Sequence, residues 1–271
     1  MKREELKIRL MPQNVLRWGK CELRKIGFQI GELRREIWED DRFSKMKQVK
    51  DSHKGERCFI ICTGPSLTVE DVMLLRDEFT IGMNSICKLF SQTDWRPSMY
   101  GIQDIIVYDR LEEDLKSLGS ETTCFIGHNI ARKRALDEKW IEFPLYTAYH
   151  DYDKTVLNKY YAYFSNDCYR VVYNGYSITY SLLQIAVYMG FKEIFILGAD
   201  NNYSSTGKHH FMEHGHFASD ADKATYRLNA AYQCAKKYAD AHGVSIYNVT
   251  RGGMLEVFPR KKLEDVLMEK G

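Results

Sequence analysis

Four histidines lie within eight residues of one another, at His209, His210, His214 and His216. The pKa of histidine is close to neutral, so one of them could take the proton from a hydroxyl group during its attack on a second substrate. With Glu213 beside them, these side chains could instead bind a metal ion. They could also be exposed loop residues with no role in chemistry. The residue types alone leave all three interpretations open.

A second candidate site follows the apolar run from Cys58 to Cys62, which is typical of a buried parallel strand. The turn Thr63-Gly64-Pro65-Ser66 comes next, and a helix capped by Ser66 or Thr68 is predicted from about Val69. Amide groups and the helix dipole converge at such a junction and favour a phosphate there. The turn matches neither G-x-G-x-x-G nor a Walker loop, so an ordinary strand–helix connection is the alternative.

The elements that position these residues alternate from Arg57 onward, which predicts an α/β fold with a doubly wound, mostly parallel sheet. Strands are predicted at 58–62, 79–84, 98–103, 123–127, 192–198 and 244–248. Helices are predicted at 69–77, 111–118, 178–189, 221–242 and 263–269. Residues 201–219 are predicted to form a long loop. The tyrosine-rich stretch 131–165 has poor periodicity and receives no assignment.

Polar residues follow most of the predicted strands at their carboxyl ends, which is where ligands bind in doubly wound sheets. These residues are Thr63 to Ser66, Asn84, Gln103, Asp104, His128, Asn129, Asp200 and Asn248 to Gly253. The repetition predicts a nucleotide-type ligand at this edge of the sheet. Asp200 could bind a ribose or Mg²⁺ or cap a helix, and Arg251 could pair with a phosphate.

The N-terminal segment 1–54 differs from the rest, with 15 Lys and Arg against 9 Asp and Glu. Its apolar residues recur at helical spacing, which predicts one or two amphipathic helices with breaks near Pro12 and Gly31. Residues 44–56 are predicted to be a linker, so the domains are 1–54 and 55–271. The helices could pack on the α/β domain or on a second copy, or lie on an anionic membrane.

Composition sets the class of the protein. The chain has 271 residues, 44% of them hydrophobic and 28% charged, and its net charge is +2. This is the profile of a soluble globular protein, and the charge does not indicate a nucleic-acid partner. No stretch is long and apolar enough to span a membrane, and no secretory signal is recognised. Seven scattered cysteines without a C-x-x-C pair favour reduced thiols in the cytoplasm and no structural zinc.

Several motifs resemble those of a known group of proteins. Gly64-Pro65-Ser66-Leu67 after a strand, then Asn84, then Gly190 to Asp200 resemble the bacterial sialyltransferases of glycosyltransferase family 42. They also resemble the related domain of archaeal hydroxymethylpterin diphosphokinases and of flagellar motility-associated glycosylation proteins. The resemblance covers about residues 57–262 and implies a Rossmann-like fold, the GT-A variant of family 42, with a histidine-rich lid loop.

The resemblance also implies roles for individual residues. In family 42 the residue before the glycine contacts the nucleotide and is usually Asn; here it is Thr63. Asn84 matches a second nucleotide contact, and Ser177 falls at the family's Thr-Ser pair. The Arg that precedes that pair is absent, because this chain reads Asn174-Gly175.

The histidine cluster has a counterpart in the same family. Family 42 has a His-Tyr-x-x-His motif after the Gly-x-Asp strand, and this chain has His210 and His214 at that spacing, with Phe211 in place of the Tyr. The resemblance therefore implies that His214 is the general base, with His216 as a close rival. It further implies inversion at the donor anomeric carbon and no required metal.

Three functions follow as expectations. The first is a cytoplasmic glycosyltransferase, positioned by residues 1–50 at the inner face of a membrane. It moves a sugar, for example a nonulosonic acid from a CMP donor, to a surface-glycan or lipid-linked acceptor. The second is a diphosphokinase of the hydroxymethylpterin type, which needs Mg²⁺ and gives the leading roles to Asp104 and Asp200. The third is a non-catalytic module that binds a nucleotide or a glycan. A homo-oligomer is compatible with each.

Overall fold

A computed structural model describes residues 3–202 and 221–269 and is built on a seven-stranded parallel sheet. Its strands are β1 (Arg57–Ile61), β2 (Thr80–Met83), β3 (Met99–Ile102), β4 (Thr123–Gly127), β5 (Trp140–Phe143), β8 (Glu193–Leu197) and β9 (Ser245–Asn248). They lie in the order β5-β4-β3-β2-β1-β8-β9. A small parallel pair, β6 (Leu145–Tyr146) and β7 (Val172–Tyr173), lies beside it. The predicted α/β class and parallel sheet are confirmed.

Ten α-helices are assigned within the described residues, most of them packed around the sheet. They are α1 (Arg3–Arg9), α2 (Pro12–Ile37), α3 (Ser44–Gln48), α4 (Val69–Leu74), α5 (Ile105–Leu115), α6 (His128–Ala131), α7 (Asp151–Val156), α8 (Ile178–Tyr188), α9 (Ala221–Ala241) and α10 (Leu263–Met268). Short 3₁₀ helices occupy Asp41–Phe43, Asn84–Ser91 and Ala148–His150. None of the helices described at 3–202 or 221–269 is long and apolar enough to cross a membrane.

The side chains of β1, an inner strand, show why the sheet is covered on both faces. Ile60 contributes to one apolar cluster and Phe59 to the other, and both side chains are fully buried. Ile60 is in register with Ile81 of β2 and Ile196 of β8. An unbroken apolar strand of this kind requires helices on both sides, because neither face can be left in water.

The order of the strands creates the feature that locates the site. From β1 the chain adds β2, β3, β4 and β5 in one direction, then returns to place β8 and β9 on the other side of β1. The direction of winding therefore reverses between β1 and β8. In doubly wound sheets, ligands bind outside the carboxyl ends of the strands at such a reversal, so this end of β1 and β8 is where a site is expected.

Three predictions about elements differ from the structure. α5 begins at Ile105, six residues before the predicted start, because the Asp104 carboxylate accepts hydrogen bonds from the amides of Ile106 and Val107 and so caps the helix. Gly31 does not break α2, which continues to Ile37. Residues 44–56 are not a linker, because α3 places Met46 in the core with its side chain fully buried.

Other boundaries agree to within a few residues, although α4 is three residues shorter than predicted. The stretch 131–165, which received no assignment, contains β5, β6 and α7. The predicted loop at 201–219 lies almost entirely outside the described residues. The division into domains at residue 54 remains a prediction.

Candidate functional site

Gly64 lies where the loops that follow β1 and β8 approach each other closely. Its amide donates to the carbonyl oxygen of Gly198, with 2.8 Å between the atoms. A Cβ atom at position 64 would lie 2.0 Å from Oδ2 of Asp200 and 2.4 Å from the Gly198 oxygen. Only glycine fits where the two loops cross, so the glycine in the predicted turn has a structural reason of its own.

Asp200 joins the loops that follow β1, β8 and β9. Its Oδ2 accepts hydrogen bonds from the Ser66 amide at 3.2 Å and the Ser66 hydroxyl at 2.8 Å. Its carbonyl oxygen accepts from the Met254 amide at 2.6 Å, and a Cβ on Gly253 would lie 2.7 Å from that oxygen. The three loops therefore form one connected unit, and Asp200 is a bridge within it rather than a helix cap.

Arg251 lies against the same unit, paired with Asp71 of α4. Its Nη1 and Nη2 are each 2.6 Å from an oxygen of the Asp71 carboxylate, which is almost completely buried. Nη2 is also 3.4 Å from the Ser66 carbonyl oxygen. Thr68, and not Ser66, caps α4 through a capping box with Asp71. A phosphate bound here would share the Arg251 charge with Asp71.

On the other half of this edge, the loops that follow β2 and β4 have unused hydrogen-bonding groups. Asn84 follows β2 directly and has a left-handed backbone, with φ of 45°. Its Oδ1 is buried and has no hydrogen-bond partner among residues 3–202 and 221–269. Asn129, just after β4, donates from Nδ2 to the Gln103 carbonyl at 2.9 Å, while its own buried Oδ1 has no partner within the described chain.

A buried oxygen without a donor costs free energy, and such groups are rare in folded proteins. Asn201, after β8, has a third buried Oδ1 that lacks a partner in the described ranges, although its Nδ2 donates to Asn229 of α9 at 2.9 Å. From β4 to β8 these positions span four strand spacings, about 19 Å. The edge therefore offers acceptors for the N–H or O–H groups of an elongated ligand.

Gln103, after β3, connects this edge to the tyrosine-rich region. Its Oε1 accepts from the Ser181 hydroxyl at 2.6 Å, and its Nε2 donates to Oδ1 of Asn174 at 3.4 Å. The carbonyl oxygen of Asn174 in turn accepts from the Tyr149 hydroxyl at 2.6 Å and from Nε2 of His150 at 3.0 Å. The small β6–β7 sheet is thus joined to the main sheet at its carboxyl end.

His150 is a buried titratable group in this network that the sequence did not single out. Because a carbonyl can only accept, Nε2 carries the proton, and Nδ1 is a buried acceptor without a hydrogen-bond partner in the described residues. Burial lowers the pKa of His150 to about 4, so the ring is neutral near pH 7. It stacks on Tyr176 with 4.4 Å between the ring centroids, and no sequence motif marks it.

The remaining predicted site residues have mainly structural contacts. Asp104 caps α5, and the Ser177 hydroxyl caps α8 by accepting from the Tyr180 amide at 3.3 Å. Thr63 is buried and Pro65 is exposed. Ligand contacts of these four residues remain predictions. Beside them, burial raises the pKa of Cys62 to about 12, so this thiol is protonated near neutral pH and is no nucleophile.

The three candidate bases, His210, His214 and His216, lie outside the described residues, as do His209, Phe211 and Glu213. Their roles remain predictions. Within 3–202 and 221–269 there is no group of three or more His, Cys, Asp or Glu side chains that could hold a metal ion.

Comparison with known proteins gives matches by family and by fold. A family model described as 6-hydroxymethylpterin diphosphokinase MptE-like matches residues 36–206. The chain is similar to the MAf glycosyltransferase from Magnetospirillum magneticum AMB-1, with 14% identity and a TM-score of 0.54; the match covers 82% of this chain and 38% of that one. The chain therefore shares the fold of that protein and spans well under half of its length.

A second solved structure is the sialyltransferase CstII from Campylobacter jejuni, in complex with a substrate analogue, cytidine-5'-monophosphate. It is 14% identical with a TM-score of 0.46, and the match covers 76% of this chain and 85% of that one. No curated protein matches the chain.

Proposed function

The chain belongs to the 6-hydroxymethylpterin diphosphokinase MptE-like family, and from its site we propose that it is a glycosyltransferase that uses a nucleotide-sugar donor. The observation that carries this proposal is the pair of buried, unpartnered amide oxygens of Asn84 and Asn129 at the carboxyl ends of β2 and β4. A nucleobase and a ribose supply N–H and O–H donors to such oxygens. The fold shared with the MAf glycosyltransferase supports the same class of reaction.

The donor we propose is a CMP-linked nonulosonic acid, and the acceptor is a surface-glycan or lipid-linked hydroxyl. The choice of donor rests on the resemblance of Gly64 to Leu67, of Asn84 and of Gly190 to Asp200 to the sialyltransferase motifs. Thr63, in place of the usual Asn, makes recognition of the nucleotide the feature in which this chain is expected to differ from the family. We expect the phosphate beside Arg251 and the loop of Ser66, whose carbonyl oxygen lies 3.4 Å from Nη2 of Arg251.

In the proposed reaction the acceptor oxygen attacks the anomeric carbon and forms the new glycosidic bond. The bond from that carbon to the phosphate oxygen breaks, and its electron pair leaves with CMP. His214 takes the proton of the acceptor hydroxyl, with His216 as the alternative base and His210 beside them. The segment that carries these histidines joins residue 202 to α9, and the Asn201–Asn229 hydrogen bond at 2.9 Å connects its two flanks.

The test measures CMP release and sugar transfer from a CMP-nonulosonate by the full chain and by the variants His214→Ala, His216→Ala and His242→Ala. Loss of a general base lowers turnover by about 10²–10⁴, and we expect this for His214→Ala, with the donor-induced rise in melting temperature retained. His242→Ala is the matched control, because His242 follows α9 at the opposite end of that helix. Full turnover in both the His214→Ala and His216→Ala variants would refute these two histidines as the base.

The family description favours one alternative, pyrophosphoryl transfer from ATP to a small hydroxymethyl compound. This reaction depends on Mg²⁺ and would draw on Asp104 and Asp200, although each already accepts hydrogen bonds from the protein. AMP formation from ATP that stops with EDTA would select this function. Binding of a nucleotide with no turnover of either donor would select a non-catalytic binding module.

A further inference from the structure

The helix α2 has two faces of opposite character. One face lies on the body of the protein: Cys21 is buried, and Phe28 stacks on Tyr146 with ring centroids 3.8 Å apart. On this face Arg35 also donates from Nε to the Arg170 carbonyl at 2.7 Å. The other face points to solvent, yet it carries the apolar residues that normally bring an amphipathic helix to a core.

The outward apolar residues follow a seven-residue repeat. Leu16, Leu23, Ile30 and Ile37 are seven residues apart, and Ile26 and Leu33 lie three residues after the second and third of them. These six side chains, here called the α2 seam, are between 51% and 77% exposed. Apolar a and d positions over three heptads are typical of a coiled coil. Gly19 occupies the remaining d position.

The two edges of the α2 seam carry opposite charges. Lys20 and Arg34 occupy e positions on one edge, and Glu22 and Glu36 occupy g positions on the other. Oε2 of Glu36 lies 2.8 Å from Nη2 of Arg170, and Oε1 of Glu22 lies 2.9 Å from Nζ of Lys25. A helix that lies on an anionic membrane is flanked by Lys and Arg, whereas an acidic edge beside a basic one suits a second helix of the same sequence.

We propose that the α2 seam pairs in parallel with the α2 seam of a second copy of this chain. In the parallel arrangement each g edge lies beside the e edge of the other helix, so Lys20 stays apart from Arg34 and Glu22 stays apart from Glu36. An antiparallel pair would bring Lys20 to Arg34 and Glu22 to Glu36, and like charges repel. The 26 residues of α2 extend over about 39 Å, which gives the seam the length that a two-stranded coiled coil requires.

The position of the body allows this pairing. Cys21 and Phe28, which contact the body, are at f positions of the same heptads, and f lies opposite the line between a and d. The two bodies therefore lie on the outer sides of the helix pair. The carboxyl edge of the sheet makes no part of the seam, so the proposal is independent of the reaction that the protein catalyses.

The first test is the mass of the full chain in solution by light scattering coupled to gel filtration. We expect a dimer at micromolar concentration, with twice the 31.7 kDa mass of one chain. In Ile26→Glu/Ile30→Glu two charges enter each side of the seam, and we expect the dissociation constant to rise about 100-fold or more. The matched control is Leu74→Glu/Ile106→Glu, which replaces two exposed apolar residues elsewhere and should remain dimeric. A monomeric native chain, or a dimeric seam variant, would overturn the proposal.

The second test determines the orientation. In a parallel pair position 16 of one copy faces position 16 of the other, whereas in an antiparallel pair it lies near position 37, about 31 Å away along the helix. Leu16→Cys should therefore form a disulfide-linked dimer under mild oxidation. Arg17→Cys, one residue away and outside the seam, should not. A Leu16→Cys variant that stays uncrosslinked contradicts the parallel arrangement.

Vesicles of phosphatidylglycerol and phosphatidylcholine test the alternative that the α2 seam binds a membrane. We expect the native dimer to stay in the supernatant, because its α2 seam is covered by the second copy. Sedimentation of a monomeric native chain with the vesicles, abolished by Ile26→Glu/Ile30→Glu, would assign the seam to a membrane and refute the pairing.

Discussion

The two halves of the carboxyl edge of the sheet use their polar groups differently. On one side, Asp200 accepts both Ser66 donors, and Arg251 pairs with Asp71, so the loops after β1, β8 and β9 largely bond to one another. On the other side, the loops after β2 and β4 bury the oxygens of Asn84 and Asn129 with no partner in the described chain.

This contrast separates the groups that hold the loops in place from the groups that are free to bind. Where loops bond to one another, breaking their hydrogen bonds lowers stability. Few of their polar groups remain for a ligand. Removing buried oxygens that have no partner changes the free energy of unfolding little, whereas a ligand could donate hydrogen bonds to them. The contrast therefore predicts which substitutions change stability and which change binding.

The largest effect is expected at Gly64. In Gly64→Ala the new Cβ would meet Asp200 and the Gly198 backbone at 2.0 and 2.4 Å, so the crossing loops must separate. We expect the free energy of unfolding to fall by about 3 kcal/mol, measured by urea denaturation. The control Gly119→Ala has no atom within 4 Å of its Cβ and should change stability by less than about 0.5 kcal/mol. Equal effects in the two variants would show that the crossing is not tight.

The second effect depends on pH and involves His150, which is linked through Asn174 to Gln103 at the carboxyl edge of the sheet. Its pKa of about 4 in the folded protein lies below the value of about 6.5 in an unfolded chain. Between these values only the unfolded chain is protonated, so stability falls as the pH is lowered, by up to about 3 kcal/mol at pH 4.

Denaturation curves from pH 7 to pH 4 measure the contribution of His150. His150→Gln retains a side-chain N–H donor for Asn174 but has no group that titrates. It should therefore lose less stability on acidification than the native chain. The same loss in both proteins would show that His150 is not the group responsible.

A smaller effect is expected at Ser66, on the self-bonded side. Ser66→Ala removes the hydroxyl that donates to the Asp200 carboxylate at 2.8 Å and leaves the amide bond at 3.2 Å. A hydrogen bond to a charged group contributes about 1.5–3 kcal/mol, and partial exposure of Ser66 places the expected loss near the lower end. Denaturation with and without nucleotide separates stability from binding; an unchanged stability would contradict the bridging role of Asp200.

The smallest change in stability is expected at Asn84. Asn84→Gly keeps a residue that tolerates φ of 45° and removes an amide that makes no side-chain hydrogen bond within the described chain. The free energy of unfolding should change by less than about 0.5 kcal/mol. A loss of several times that size would place Asn84 with the structural residues and remove the contrast between the two sides.

The sequence predicted the elements whose signals are local. Unbroken apolar runs such as Cys58 to Cys62 revealed the parallel strands, and the turn residues after them lie at the carboxyl edge of the sheet, as predicted. The start of α5 was missed although Asp104 is a good cap, because the apolar periodicity of the helix is clearer from Leu111 onward. The Thr68–Asp71 capping box was also readable from its spacing.

The contacts that distinguish the two sides could not be predicted, because they join residues far apart in the chain. Arg251 meets Asp71 across 180 positions and Ser66 meets Asp200 across 134. Whether the Oδ1 atoms of Asn84 and Asn129 find a hydrogen-bond donor depends on all the residues that pack around them. His150 was missed because its low pKa comes from burial among tyrosines in a region without periodicity.

The most direct test of the central claim is nucleotide binding by the native chain, Asn84→Gly and the control Asn158→Gly, which replaces another left-handed Asn. Melting temperatures are measured with CMP, UDP, GDP and ATP, each with and without Mg²⁺. We expect CMP to stabilise the native chain and the control without Mg²⁺, by about 2.7 kcal/mol at 100 times Kd, and Asn84→Gly to lose this effect. No stabilisation by any nucleotide, or an equal effect in Asn84→Gly, would contradict a nucleotide site at this edge of the sheet.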